Sequence, residues 1–160
     1  MAGKKPKKAP LNTVDEQARI MAAAFMEILP PEEVELSPRA VKYFDKIISE
    51  LAKAEWTPHM IDIAAQLAYY MDEHETQKRL LKKEGHTLKN GKNYHYQNPR
   101  FPLIASYADR ILAYRRSLSL HLIGNSTSRV KMEARNVGAK KTEQMAQAIS
   151  SRLIARPKLN

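Results

Sequence analysis

Residues 60–71 read MIDIAAQLAYYM, with Asp62 and Gln66 the only clearly polar positions. A helix built on this stretch is apolar on every side and therefore needs cover on every side. Thr57-Pro58 ahead of it supplies a hydroxyl N-cap with proline in the first turn. Gly85 beyond it is a natural C-terminal stop. The predicted helix runs from Pro58 to about Glu84, about 40 Å at the usual rise per residue. One domain of 160 residues has too few other helices to enclose it, so the stretch predicts an obligate homo-oligomer. The expected interface is Ile63, Leu67, Tyr70, Met71 and His74 on this helix, with Ile111, Arg115 and Leu118 on a later one.

Downstream, residues 85–98 read GHTLKNGKNYHYQN. Asn90-Gly91 favours a two-residue hairpin turn, with His86 and His95 on opposite arms, where they could face each other. This is a connector that lays two long helices antiparallel. Asn98-Pro99 opens the next helix, expected from about residue 99 to Ile123, where Gly124 ends it. Its stripe of Ile104, Ala108, Ile111, Leu118 and Leu122 is interrupted by Arg115. A charge there either pairs with Asp72 or Glu75 across an interface or opens onto a solvated channel. Residues 124–160 are polar and basic, with a short amphipathic helix from Thr142 to Ile154 through Met145, Ile149 and Leu153.

Upstream, Ser37-Pro38 opens a helix over about 38–54. Val41, Phe44, Ile48 and Leu51 form its apolar stripe, and Lys42, Lys46, Ser49 and Lys53 form its polar side. Thr13-Val14-Asp15-Glu16 has capping-box spacing and begins a helix through Ile28, which Pro30-Pro31 terminates. The expected class is mainly α: two long antiparallel helices, a short β-hairpin and flexible basic tails, assembled as a homo-oligomer. The expected parts are a disordered basic arm over 1–12, a helical oligomerisation and DNA-binding domain over 13–123, and a basic, mostly flexible tail over 124–160.

Net charge is +10, and it is unevenly distributed. Residues 1–10 hold four lysines and no acid; residues 11–84 hold 9 basic and 14 acidic side chains; residues 85–160 hold 14 basic and 3 acidic ones. A basic arm, a mildly acidic body and a strongly basic second half suit a polyanion. Cysteine is absent, which excludes disulfides, thiolate zinc sites and cysteine nucleophiles. No apolar run reaches the roughly eighteen residues of a membrane span, and MAGKKPKKAP lacks the apolar segment of a secretory signal. The expected location is intracellular, with no membrane partner.

Enzymatic chemistry finds no constellation. Gly138-Ala139-Lys140-Lys141-Thr142 lacks P-loop spacing, and His74-Glu75 is followed by Lys78 and Arg79 where a second metal-binding histidine belongs. His59, His74, His86, His95 and His121 share no ligand spacing. No cofactor and no metal are expected.

In its organisation the chain resembles the small subunit of tailed-bacteriophage terminases over about residues 36–130. The likeness lies in Leu36-Ser37-Pro38-Arg39-Ala40, Tyr43-Phe44 and Trp56-Thr57-Pro58 with its aromatic-rich helix. It continues in Gly85, a short hairpin with Lys92, Asn98-Pro99, and Leu122-Ile123-Gly124 followed by Ser126 to Arg129. The resemblance implies a ring-shaped, non-catalytic DNA-binding protein in the infected bacterial cell, not expected in the mature virion. Such a ring recognises the packaging-initiation region and recruits a large terminase ATPase-nuclease. Many relatives carry an N-terminal helix-turn-helix; the counterpart here ends in a helix too apolar for a major groove. Alternatives are a basic nucleoid-associated or regulatory DNA-binding protein, or a scaffold for an acidic protein. Phosphate contact needs grouped, long basic side chains. Three groups qualify: Lys4, Lys5, Lys7 and Lys8; Lys42, Lys46 and Lys53; and Arg129, Lys131, Arg135, Lys140 and Lys141.

Overall fold

The computed structural model describes residues 10–91, 94–118, 120 and 127–154. The elements are α1 (Val14–Ala23), α2 (Pro38–Ile48), a 3₁₀ turn (Lys53–Glu55), α3 (Pro58–Glu84), β1 (Thr87–Lys89), β2 (His95–Gln97), α4 (Arg100–Ser117) and α5 (Thr127–Ile154). Two compact units result. The first takes residues 1–28, 51–56 and 124–160, and the second residues 29–50 and 57–123.

The second unit is organised by α3. Thr57 caps it by accepting from the Met60 amide, and Gly85 ends it at φ 87°, a backbone conformation that costs glycine least. Both ends lie where the sequence puts them. Ser37 caps α2 by accepting from the Ala40 amide at 3.1 Å. The buried stripe of α2 is Ala40, Phe44 and Ile47, with Val41 and Ile48 at its margins. The helix stops at Ile48 instead of continuing to residue 54. Against α3, the apolar positions Ala64, Ala65, Leu67 and Ala68 are buried. Met60, Ile61, Ile63, Tyr70 and Met71 are half-buried, and Tyr69 is exposed. The chain thus covers part of its most apolar helix and leaves part open. Arg100 meets Gln77 and Glu84, while Tyr107, Arg110 and Tyr114 meet Tyr70. Those pairs run in opposite senses, so α3 and α4 are antiparallel.

The hairpin pairs Thr87 with Gln97, Leu88 with Tyr96 and Lys89 with His95. His95 therefore faces Lys89 instead of His86, whose carbonyl accepts from the Asn98 amide at 2.9 Å. The turn is also longer than two residues. Asn90 and Tyr94 close it, the Asn90 amide donating to the Tyr94 carbonyl and the Asn90 side chain accepting from the Tyr94 amide, each at 3.0 Å. That side-chain bond favours the wider closure over an Asn-Gly type I′ turn.

Asn98 fastens the hairpin's foot and is fully buried. Its side-chain amide donates to Glu84 at 3.1 Å and to the Gly85 carbonyl at 3.0 Å, and its side-chain oxygen accepts from the Arg100 amide at 3.0 Å. One residue therefore ties the end of α3 to the start of α4. Asn98→Ala leaves the Gly85 carbonyl and Arg100 amide without these partners. The expected loss is about 2 kcal/mol in urea unfolding.

In the first unit the core is Ile20, Ala23, Ala52, Ala54 and Ala139, with Leu11 packed against it. Gly138 lets Leu11 approach closely, since a Cβ there would lie 2.8 Å from Leu11 Cδ1. Small side chains leave α5 to be held by polar groups. Asn136 accepts from the Ala52 amide at 2.7 Å, Glu143 from the Ala54 amide at 3.1 Å, and Gln147 donates to the Ala24 carbonyl at 3.1 Å. α5 begins at Thr127, well before the Thr142 that periodicity suggests. α1 ends at Ala23 instead of Ile28, and Lys53 donates to the carbonyls of Ala24 at 3.2 Å and Met26 at 2.8 Å. The expected capping box does not form. The Thr13 hydroxyl donates to the Pro10 carbonyl at 2.9 Å, and Glu16 is engaged by arginines. Charge-assisted bonds win over a neutral backbone amide.

Candidate nucleic-acid interface

Lys42 and Lys46, one turn apart on α2, are both exposed, and Lys46 lies 5.9 Å from the Tyr43 ring centroid. Lys53 does not extend this row. It sits in the 3₁₀ turn with its ammonium on the end of α1, where a cation suits the carbonyl-rich helix terminus. On α5, Lys131 and Lys141 are exposed and Lys140 is half-buried. Lys4, Lys5, Lys7 and Lys8 lie outside the described residues, as do the Arg129 side chain and Lys92. α4 ends at Ser117, with Leu118 as its C-cap, instead of continuing to Ile123.

Arg135 is held inside the first unit. Its guanidinium bonds Glu16, and its Nε donates to Glu55 at 3.0 Å. Arg19 adds to the cluster through Glu16 at 2.8 Å and 3.1 Å and through the Ala54 carbonyl at 2.6 Å. Glu16 and Glu55 are both buried. The hydrogen bond from Arg19 lowers the Glu16 pKa below its ordinary value of 4.5, with Arg135 adding to the effect against the opposing cost of burial.

The sequence suggests Arg115 as a partner for Asp72, but Arg39 holds that carboxylate. Arg39 bonds the Asp72 side chain and donates to its carbonyl at 3.1 Å, while the Ser37 hydroxyl donates to Asp72 at 2.6 Å. Arg39 also bonds Thr76. The signal for this pairing is faint, because Asp72 stands close to Glu73 and Glu75 and nothing in the sequence singles it out for Arg39. Glu75 lies 4.0 Å from Lys78 and 3.8 Å from Arg79. Arg115 is half-buried. Of the other expected interface residues, Leu67 and Leu118 are buried within the chain. Ile63, Tyr70, Met71, His74 and Ile111 remain half-open.

Tyr70 gathers an aromatic group beside this partly open surface. It stacks on Tyr114 at 5.7 Å, tilts against Tyr107 at 5.6 Å, and accepts from Arg110 at 3.0 Å. The exposed positions in the first half of α3 include His59, Asp62 and Tyr69, none a lysine or arginine. That face is poorly suited to phosphate contact.

Acid weakens the molecule by two routes with the same sign. Burial pushes the His74 pKa below 6.5, with Lys78 adding to the effect. The unfolded chain therefore binds a proton first, and stability declines as pH falls below 6.5. Glu16 and Glu84 have pKa values lowered from 4.5, the latter through hydrogen bonds from Arg100 and Asn98. Their contributions are complete above 4.5 and disappear as pH falls through the lower folded-state values. Urea midpoints measured across this range should fall gently below 6.5 and steeply below 4.5.

Among the described residues, no helix is long and apolar enough to cross a membrane, and no three His, Cys, Asp or Glu residues gather as a metal site. A family model described as the Hendrixvirinae small terminase family matches residues 1–160. No curated protein and no solved structure matches the chain.

Proposed function

The chain belongs to the Hendrixvirinae small terminase family, which places it in phage genome packaging, and we propose that it is the non-catalytic DNA-recognition subunit of the packaging machinery. On this reading it binds the packaging-initiation region of the viral genome and recruits or regulates the large terminase ATPase-nuclease. It acts in the cytoplasm of the infected host as a ring-shaped homo-oligomer. The family match over residues 1–160 carries the reading.

The charge distribution supplies its physical means. Fourteen basic side chains against three acidic ones over residues 85–160 give that part of the chain a strong attraction for phosphate. Lys42, Lys46, Lys131 and Lys141 are exposed cations able to release counterions from a duplex. The basic arm of Lys4, Lys5, Lys7 and Lys8 adds to them, as does Arg129. Lys140 belongs with the α5 group, whereas Lys53 and Arg135 act chiefly in holding the first unit together. In a ring each group repeats around the axis, so weak contacts sum through multivalency. The half-open residues of α3 and α4 are the surface on which copies would meet.

Duplex DNA titrated at several salt concentrations tests the reading. Log affinity against log salt should fall steeply. Lys42→Ala with Lys46→Ala should make the slope shallower by about 1 to 2. A flat wild-type line contradicts DNA recognition. A pull-down against the large subunit separately tests recruitment and distinguishes this role from that of a general basic DNA-binding protein.

A further inference from the structure

Helix-to-helix connections in compact domains usually take two to eight residues, roughly. Here α3 ends at Glu84 and α4 begins at Arg100, and the extra length forms a hairpin with a rigid foot and an uncovered body. Asn98 fixes the foot through Glu84, Gly85, His86 and Arg100, and the Arg100–Glu84 ion pair at 2.8 Å reinforces it. Beyond the foot, Thr87, Lys89, Asn90, Gly91 and Tyr94 to Gln97 are all exposed, and Leu88 alone is half-buried. Two three-residue strands, exposed at every described position but Leu88, contribute little to a core.

The pairing register sorts their side chains. Thr87 opposite Gln97 and Lys89 opposite His95 occupy one face, while Leu88 and Tyr96 occupy the other. The first face holds a lysine, an imidazole, a hydroxyl and a side-chain amide, without a carboxylate. Glu84, at the foot, is held by Arg100 and Asn98. Exposed Lys82 and Lys83 stand in the last turn of α3, immediately before the hairpin. Tyr94 and Tyr96 are exposed as well.

We propose that this face, formed by Thr87, Lys89, His95 and Gln97, contacts duplex DNA. The inference rests on the DNA-binding reading above and assigns the connector a second role. Lysine and neutral donors on a hairpin fastened at its foot suit phosphate and sugar oxygens. A two-stranded ribbon also fits a major groove about 12 Å wide. An acidic protein would be served by the charge alone. The neutral donors and exposed tyrosines add groups suited to the sugar-phosphate surface and base edges of nucleic acid.

The test uses the full chain in its native assembly. Because the sequence has no cysteine, Lys89→Cys creates a unique site for a photoactivatable aryl azide. A covalent adduct with duplex DNA is expected, together with weaker binding by Lys89→Gln/His95→Gln and a salt slope shallower by about 1 to 2. Circular dichroism and assembly mass should match wild type. If wild type gives no salt-dependent binding, the DNA reading itself fails. If wild type binds while the double variant matches it and the azide leaves DNA unlabelled, only the hairpin assignment is overturned. A double variant that loses assembly mass while retaining the wild-type salt slope also overturns it, because the face then joins copies of the chain.

Discussion

Arg135→Ala should destabilise the first unit by about 3 to 5 kcal/mol, the range for breaking a buried ion pair. Glu16 and Glu55 are less than a tenth exposed, and Arg135 bridges them from α5. Without its guanidinium, both carboxylates stay buried with one cation fewer, Arg19 lying 3.6 Å from Glu55. The core beneath is largely alanine, so little apolar burial offsets the loss. Hydrogen exchange should report faster opening of α5, with α3 amides nearly unchanged. Arg135→Met combined with Glu16→Gln and Glu55→Gln should recover much of the stability, because neither carboxylate is then buried, and the half-exposed Arg19 keeps water and the Ala54 carbonyl as partners. Equal loss in the single and triple variants would refute the charge-pairing account.

Phe44→Ala should cost the second unit a comparable 3 to 5 kcal/mol, the usual range for emptying a buried aromatic site. Phe44 has no exposed surface and is the largest of the fully buried side chains. It lies between Ala40 and Ile47 in the buried stripe of α2, which packs on α3. Phe25, 60% exposed, provides the contrast: Phe25→Ala should change the monomer's intrinsic stability by less than about 0.5 kcal/mol. Urea unfolding monitored by circular dichroism measures both. Similar effects at the two positions would contradict the assigned packing.

The elements most legible in the sequence are those set by local chemistry. Thr57-Pro58 and Gly85 bound α3, and Ser37 caps α2, because a hydroxyl, a proline ring and a glycine act on their own neighbours. α5 was legible only from Thr142. Its attachment uses Asn136, Glu143, Gln147 and alanines, which leave no apolar period to detect. The Glu16–Arg135 pair joins residues far apart in the chain, and charge pattern alone does not select that partner. The same holds for Asp72, which pairs with Arg39 and not with Arg115. In the hairpin, Asn90-Gly91 signalled a turn, but the Asn90 side chain widened it by bonding the Tyr94 amide.

For the candidate DNA surface, burial and bonding divide the lysines and arginines that the sequence offers. Lys42 and Lys46 stand exposed as expected, whereas Lys53 and Arg135 are engaged by the chain's own carbonyls and carboxylates. A lysine looks alike in sequence whether water or a helix terminus receives it. Met60 to Met71 divides in the same way. Its alanines and Leu67 are buried, while Ile63, Tyr70 and Met71 keep surface open to solvent. That remaining surface supports the proposed assembly and leaves the copy number open to measurement.

Mass photometry at nanomolar concentration, with and without a duplex containing the packaging-initiation region, tests the central proposal most directly. The expected result is one species at a whole multiple of the chain mass, gaining the mass of the duplex when DNA is added. A stable particle of one chain that leaves the duplex free would contradict it.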